Sequence, residues 1–152
     1  MNLSEDFVKK TLEQLLEKLG IVFDEILVQP GEDGFKVDID SEADSGVLIG
    51  YHGEHLNALQ QLLTLMCYKE AGEWQRILVD VEGYRFSQQE KIEDMALMAA
   101  KRVRFLQDPV ALSPMSSYER RLVHMVLAEE PGVVTESDGE GRYRRVVIYP
   151  ES

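Results

Sequence analysis

Leu48-Ile49-Gly50-Tyr51-His52-Gly53-Glu54-His55-Leu56 is the stretch on which the reading of this chain turns. A β-branched residue leads into two glycines three apart, and an apolar-periodic helix begins at once. The glycines let the backbone turn tightly and come close to a ligand. The helix that follows aims its free N–H groups and the positive end of its dipole at the turn. Together these features make an anion site suited to a sugar-phosphate backbone. The spacing alone says little, because 11 glycines in 152 residues yield about one such pair by chance. Gly31-Glu32-Asp33-Gly34 has the same spacing, but it sits between two strand patterns and reads as a turn. The setting distinguishes the second pair: Ile49 before it, Leu56 three residues after it, and a helix beyond.

Upstream, Phe7, Leu12, Leu15, Leu16 and Leu19 recur at helical spacing, and Gly20 follows as a stop. Residues 26–28 and 35–39 read as short strands. In the second, Val37 and Ile39 alternate with Lys36, Asp38 and Asp40, so one face is solvated. Downstream, Leu56, Leu59, Leu62, Leu63 and Met66 predict a helix that ends at Gly72. Ile77, Val79 and Val81 then alternate as a third strand. The order is αββααβ. A long helix runs from about residue 84 to 106, with Ile92, Met95, Ala99, Val103 and Leu106 on one side, until Asp108-Pro109 breaks it. A short strand at 110–112 follows, and Ser116-Ser117-Tyr118-Glu119 fits a capping box. The helix it opens closes at Pro131-Gly132, and residues 133–135 pair with 144–149 across Gly139-Glu140-Gly141. The expected fold is α+β, with modules at 1–84 and 109–152 joined by a linking helix at 85–108.

The hydrophobic fraction of 44% is enough for a core and argues against disorder. Cys67 stands alone, which fits a reducing cytoplasm and reads as a small buried apolar residue. The first ten residues carry Glu5, Asp6, Lys9 and Lys10 and do not read as a secretory signal. No stretch has the length of a membrane span, so a cytoplasmic location without membrane insertion is expected. The net charge of −12 argues against nonspecific nucleic-acid binding. It is unevenly spread: residues 1–95 hold 8 Lys+Arg and 20 Asp+Glu, whereas 96–152 hold 8 of each. In the second part the cations cluster at Lys101, Arg102 and Arg104, at Arg120 and Arg121, and at Arg142, Arg144 and Arg145.

Arg120 and His124 are four apart and share a helix face. One reading is a capped cation beside a packed, hydrogen-bonded histidine. The other is a phosphate site built from a guanidinium fork and an imidazole. The tail favours the second, because Thr135, Ser137, Gly139 and Gly141 form a donor-rich loop next to Arg142, Arg144 and Arg145. His52 and His55 are three apart, but no third and fourth metal ligand accompanies them, so neither a metal nor a cofactor is expected. His52 reads instead as a donor beside Gly50 and Gly53. Asp38, Asp40, Asp80 and Glu82 would line the open sheet face and repel nucleic acid lying flat on it. No nucleophile elbow, phosphate-loop lysine or spaced acid pair is present in the sequence, so no enzyme activity is expected.

Two modules coincide here. Residues 3–83 resemble a type II K-homology (KH) domain, with its Ile-Gly-x-x-Gly-x-x-Leu signature at 49–56. Residues 109–150 resemble the domain named for arginine, three residues, histidine, with Arg120-Arg121-Leu122-Val123-His124. The pairing resembles the bacterial Jag/KhpB (SpoIIIJ-associated) family, supported by Asp80-Val81-Glu82-Gly83-Tyr84-Arg85 and by Gly139-Glu140-Gly141 leading to Arg144-Arg145. The resemblance implies a cytoplasmic protein that binds single-stranded RNA, or single-stranded DNA, and often pairs with a second small KH protein or with itself. A post-transcriptional regulator or RNA chaperone is the expected role. Gly50, Tyr51, His52 and Gly53 would grip the backbone in the first module. Arg120, His124, Gly139, Gly141, Arg142, Arg144 and Arg145 would do so in the second. The family is usually basic within the glycine loop and arginine-rich at the start of the long helix. Tyr51-His52 and Phe86-Ser87-Gln88-Gln89 depart from both patterns and imply a weaker first module. The alternative is a protein-interaction module whose KH part has lost RNA affinity.

Overall fold

Ser4 begins the first helix, α1 (Glu5–Lys18), by accepting a hydrogen bond from the Phe7 N–H. Its apolar stripe, Val8, Leu12 and Leu16, is fully buried. The computed structural model describes residues 2–152 and divides after Arg85 into two units.

In the first unit, β1 (Glu25–Gly31) and β2 (Gly34–Asp40) form an antiparallel hairpin with Gly31 opposite Gly34. The pair Gly31 and Gly34 thus belongs to a turn, as expected. A Cβ on Gly34 would overlap the carbonyl oxygen of Arg76, so a side chain there is excluded. The chain then passes through α2 (Ser45–Ile49), a 3-10 turn (Tyr51–Gly53) and α3 (Glu54–Ala71) to β3 (Arg76–Val81). β3 lies parallel to β2, with Val37 opposite Val79, in a sheet ordered β1-β2-β3. A parallel neighbour needs a crossover, which α2 and α3 supply. Leu56, Leu63 and Cys67 of α3 close with α1 over Val37, Ile39, Val79 and Val81. Burial raises the Cys67 thiol to about 11, which keeps it protonated and inert.

The opposite sheet face carries Asp38 and Asp80 in register, as the alternation predicts. Burial, and then the neighbouring Asp80 and Asp40 charges, raise the Asp38 carboxyl, while Lys36 opposes them. β3 is an edge strand. Its outward groups meet side chains: the Val79 N–H donates to Gln60 Oε1 at 2.9 Å, and the Val79 carbonyl accepts from Arg85 Nε at 2.8 Å. The Val81 N–H donates to Asp80 Oδ1, which also accepts from the Arg85 N–H.

The span expected as a linking helix, 85–108, is helical and adds one side to the core of the second unit. It is α4 (Tyr84–Leu106), and Ile92, Ala96, Ala99, Ala100 and Val103 bury one side of it within the second unit. Three of those five residues are alanines, and small side chains let the helix lie close to its neighbours. β4 (Val110–Ala111), α5 (Ser117–Leu127), β5 (Val133–Asp138) and β6 (Arg145–Pro150) follow. The sheet order is β4-β6-β5, with the central β6 antiparallel to both neighbours. Val146 and Ile148 of β6 pack with Val123 and Leu127 of α5 in the same core.

The capping box at α5 is present in full: Ser116 Oγ accepts from the Glu119 N–H, and Glu119 Oε2 accepts from the Ser116 N–H. Glu119 is only 3% exposed, and its Oε1 accepts from Gln88 Nε2 of α4 at 3.0 Å. The capping carboxylate therefore also fastens α5 to α4. Glu119→Ala is expected to lower stability by about 1–3 kcal/mol, because it removes the carboxylate half of the capping box and strands the Ser116 N–H and Gln88 donors. Urea unfolding monitored by circular dichroism measures it.

Candidate functional site

The glycine loop is built from left-handed backbone. Gly50 has φ 69°, His52 φ 51° and Gly53 φ 79°. Gly53 starts α3 with no side-chain cap, so backbone N–H groups face the loop. Space forbids side chains as well. A Cβ at Gly50 would lie 2.5 Å from Cγ of His55, and one at Gly53 would lie 3.1 Å from the Tyr84 ring. His55 has a structural role that the sequence does not reveal. Its Nδ1 lies 2.7 Å from the Val47 carbonyl oxygen, which can only accept, so Nδ1 carries the proton and donates. The imidazole thereby staples α3 to α2 across Gly50. Tyr51 is 61% exposed, and its ring meets His52 edge-on with centroids 4.3 Å apart. No Lys or Arg lies between residues 46 and 56.

In the second unit, a shallow cavity of about 440 Å³ is lined by Arg120, Arg121 and His124 of α5, by Ser137 of β5, and by Arg144. Arg120 and Arg144 are held from behind. Arg120 Nη1 donates to the Met115 carbonyl at 2.7 Å, and Arg144 Nη1 donates to the Gly139 carbonyl at 2.6 Å. Each fork keeps further N–H groups for a ligand.

His124 differs from the expected phosphate donor. Its Nδ1 lies 2.7 Å from Thr135 Oγ1 and its Nε2 lies 2.8 Å from Ser137 Oγ, so both ring nitrogens are occupied. Burial, then Arg120 and Arg144, hold its pKa below the usual histidine value. A neutral ring donates from one nitrogen and accepts at the other, and hydroxyls serve both roles. His124 lines the cavity with both nitrogens on hydroxyls, an arrangement that fits the packed, hydrogen-bonded alternative.

The remaining tail residues separate. Thr135 and Ser137, expected in a loop, lie on one face of β5. Arg145 alternates with Arg144 and does not line the cavity. Nor do Gly139, Gly141 and Arg142. Gly139 has φ 88°, and a Cβ there would meet the Tyr143 carbonyl at 3.1 Å, so the turn itself accounts for this glycine. Arg142 is exposed in a 3-10 turn, Gly141–Tyr143. Sequence reasoning omitted Arg121 from the site, although it stands three residues before His124 on the same helix. Among the described residues, no cluster of three or more His, Cys, Asp or Glu could hold a metal ion, and no helix is long and apolar enough to cross a membrane.

Gly50→Ala is expected to cost about 1–3 kcal/mol of stability through its backbone angle and the His55 ring. Gly46→Ala in α2, where a Cβ meets nothing within 4 Å, is expected to be neutral or stabilising. Thermal melts of both variants test the contrast. The His124 shift also has a sign. Its folded pKa lies below its unfolded one, so the unfolded state binds more protons in that window and stability falls as pH drops below about 6.5. Denaturation midpoints at pH 7.5 and 5.5 should fall less in His124→Gln than in the unsubstituted protein.

Comparison with known proteins places two family models on the chain. The KhpA/KhpB KH domain matches residues 5–81, and the domain named for its Arg-x-x-x-His motif matches residues 90–150. An RNA-binding protein KhpB of Clostridium symbiosum is 34% identical over 145 residues, covering 95% of this chain and 65% of that protein. The protein of that name from Bacillus subtilis is 34% identical over 106 residues, covering 68% and 51%. That from Lactiplantibacillus plantarum is 35% identical over 103 residues, covering 68% and 32%. The chain thus spans less than two thirds of the length of each of these relatives.

Proposed function

We infer that this chain, which belongs to the KhpA/KhpB KH-domain family and carries an Arg-x-x-x-His domain after its KH domain, binds single-stranded RNA without catalysis. The observation that carries this reading is the convergence of Arg120, Arg121 and Arg144 on one cavity in a protein of net charge −12. Backbone carbonyls already orient two of the three, so phosphate oxygens meet prearranged donors. Ser137 adds a hydroxyl, and His124 keeps α5 and β5 in place. The relatives described above bear the name RNA-binding protein.

In the KH unit, the loop at 50–53 offers backbone N–H groups, and the exposed Tyr51 ring stacks on a base or sugar. Such a unit grips about four nucleotides. Single-stranded DNA fits the same chemistry, since phosphate and base faces carry the contacts. A cytoplasmic post-transcriptional regulator or RNA chaperone, paired with a second small KH protein or another copy, is the role proposed. One observation favours a rival protein-interaction module. Residues 1–85 hold 7 Lys+Arg against 17 Asp+Glu, and the loop itself has no cation.

Fluorescence anisotropy with labelled single strands tests both readings. Arg120→Ala and Arg144→Ala are each expected to weaken binding about tenfold or more, the scale of a lost charge-assisted hydrogen bond. The log–log salt slope should be about −3 for about four phosphates, and flatter in these variants. Tyr51→Asp with His52→Asp should weaken binding further, with the fold intact. Unchanged affinity in the arginine variants would remove RNA from the second unit, and unchanged affinity in the loop variant would leave the KH unit to protein partners. Gel analysis of the recovered RNA should show it uncut.

A further inference from the structure

Lys101 and Arg102 have no role in the reading above, and they stand among exposed apolar side chains. In the second unit, α4 turns Met98 and Phe105 outward at 71% and 86% exposure. Lys101 and Arg102 lie between them and are exposed as well. Residues 98, 101, 102 and 105 follow helical spacing, so they form one continuous patch over two turns, about 10.5 Å along the axis. No Asp or Glu occurs from 95 to 107. The remaining cation of this run, Arg104, is engaged with Glu130 at 3.0 Å. Folding does not account for the patch. The core side of α4 is made by Ile92, Ala96, Ala99, Ala100 and Val103. The helix dipole draws cations to the last turn. Arg104 occupies that turn, whereas Lys101 and Arg102 stand before it.

We propose that this face of α4 is a second contact for single-stranded RNA, distinct from the arginine cavity, which no α4 residue lines. A base stacks on the Phe105 ring, the Met98 thioether packs beside a neighbouring base, and Lys101 and Arg102 hold the phosphates between them. The proposal rests on the RNA reading above and extends it to longer strands. Charge and shape select this occupant. A flat ring bracketed by cations matches the alternation of base and phosphate along a strand. A stacked strand advances about 3.4 Å per nucleotide, so the patch spans about three nucleotides. A stable protein partner needs about 800 Å² of surface, more than four side chains of one helix provide. A membrane needs a broad apolar helix face, and α4 buries its broad apolar face in the core.

Fluorescence anisotropy on the full chain tests it with labelled single strands of about 4 and about 16 nucleotides. Phe105→Ala, and Lys101→Gln combined with Arg102→Gln, alter exposed positions only, and circular dichroism checks that both variants fold. Each is expected to weaken binding of the long strand about fivefold or more, the scale of one lost stack or two lost phosphate contacts. Neither should change the affinity of the short strand, which one site fills. The Lys101/Arg102 variant should also flatten the long strand's log–log salt slope by about 1. Arg120→Ala, in contrast, should weaken both strands. Unchanged long-strand affinity in both α4 variants overturns the proposal and leaves the cavity reading standing. An equal loss for both strand lengths overturns it too, since the patch would then act through the unit as a whole. If the unsubstituted chain binds neither strand, the RNA reading falls and this one falls with it. Flotation with vesicles of phosphatidylglycerol and phosphatidylcholine is the last arm: vesicle binding that Phe105→Ala abolishes, beside unchanged RNA affinity, assigns the face to a membrane and overturns the proposal.

Discussion

The two hydrogen bonds that His124 makes, to Thr135 and to Ser137, govern the geometry of the second unit's cavity. They tie α5 to β5, whose hydroxyls lie on one strand face. Arg120 stands one helical turn before the histidine, so its guanidinium takes its place from the same anchor. The anchor suits a neutral ring, which donates to one hydroxyl and accepts from the other. Burial, then Arg120 and Arg144, favour that state. The cations that suit the cavity to an anion thus also bear on the histidine beside them.

The first unit reaches a receptive loop by the opposite means. No cation is brought in, and side chains are removed where they would collide. Gly50 lies under the His55 ring and Gly53 lies against Tyr84. The His55 bond to Val47 then keeps α2 and α3 from parting at the turn. Any attraction for an anion must come from backbone N–H groups and the end of the α3 dipole, against a strongly acidic background. The two units thus differ in what they offer a nucleic acid: dipoles and an exposed tyrosine in one, fixed charge in the other.

Features written locally were legible in the amino-acid sequence. The Gly50/Gly53 pair, the capping box at Ser116 and Glu119, the alternation of Val37 and Ile39, and the αββααβ order all depend on neighbours within a few residues. Long-range joints were not legible. Nothing near His124 announces that Thr135 and Ser137 will take both its nitrogens, and nothing near His55 announces Val47. The α4 helix looked like a connector because alanines give a faint apolar signal, yet Ala96, Ala99 and Ala100 are what a close helix contact requires. The faces of Arg144 and Arg145 were open to inference by parity, but only once the start of β6 at Arg145 was known.

The covering of β3 sets a limit on how chains of this kind can join. A strand at the edge of a sheet normally presents unpaired N–H and carbonyl groups that another strand can zip onto, the route to sheet extension and to amyloid-like stacking. Here Gln60, Asp80 and Arg85 have already taken those groups at Val79 and Val81. An incoming strand would have to evict two hydrogen-bonded side chains and a guanidinium before pairing at Val79 and Val81. That end of the edge therefore resists templated growth. High concentrations of this unit would then meet resistance to sheet fusion at Val79 and Val81.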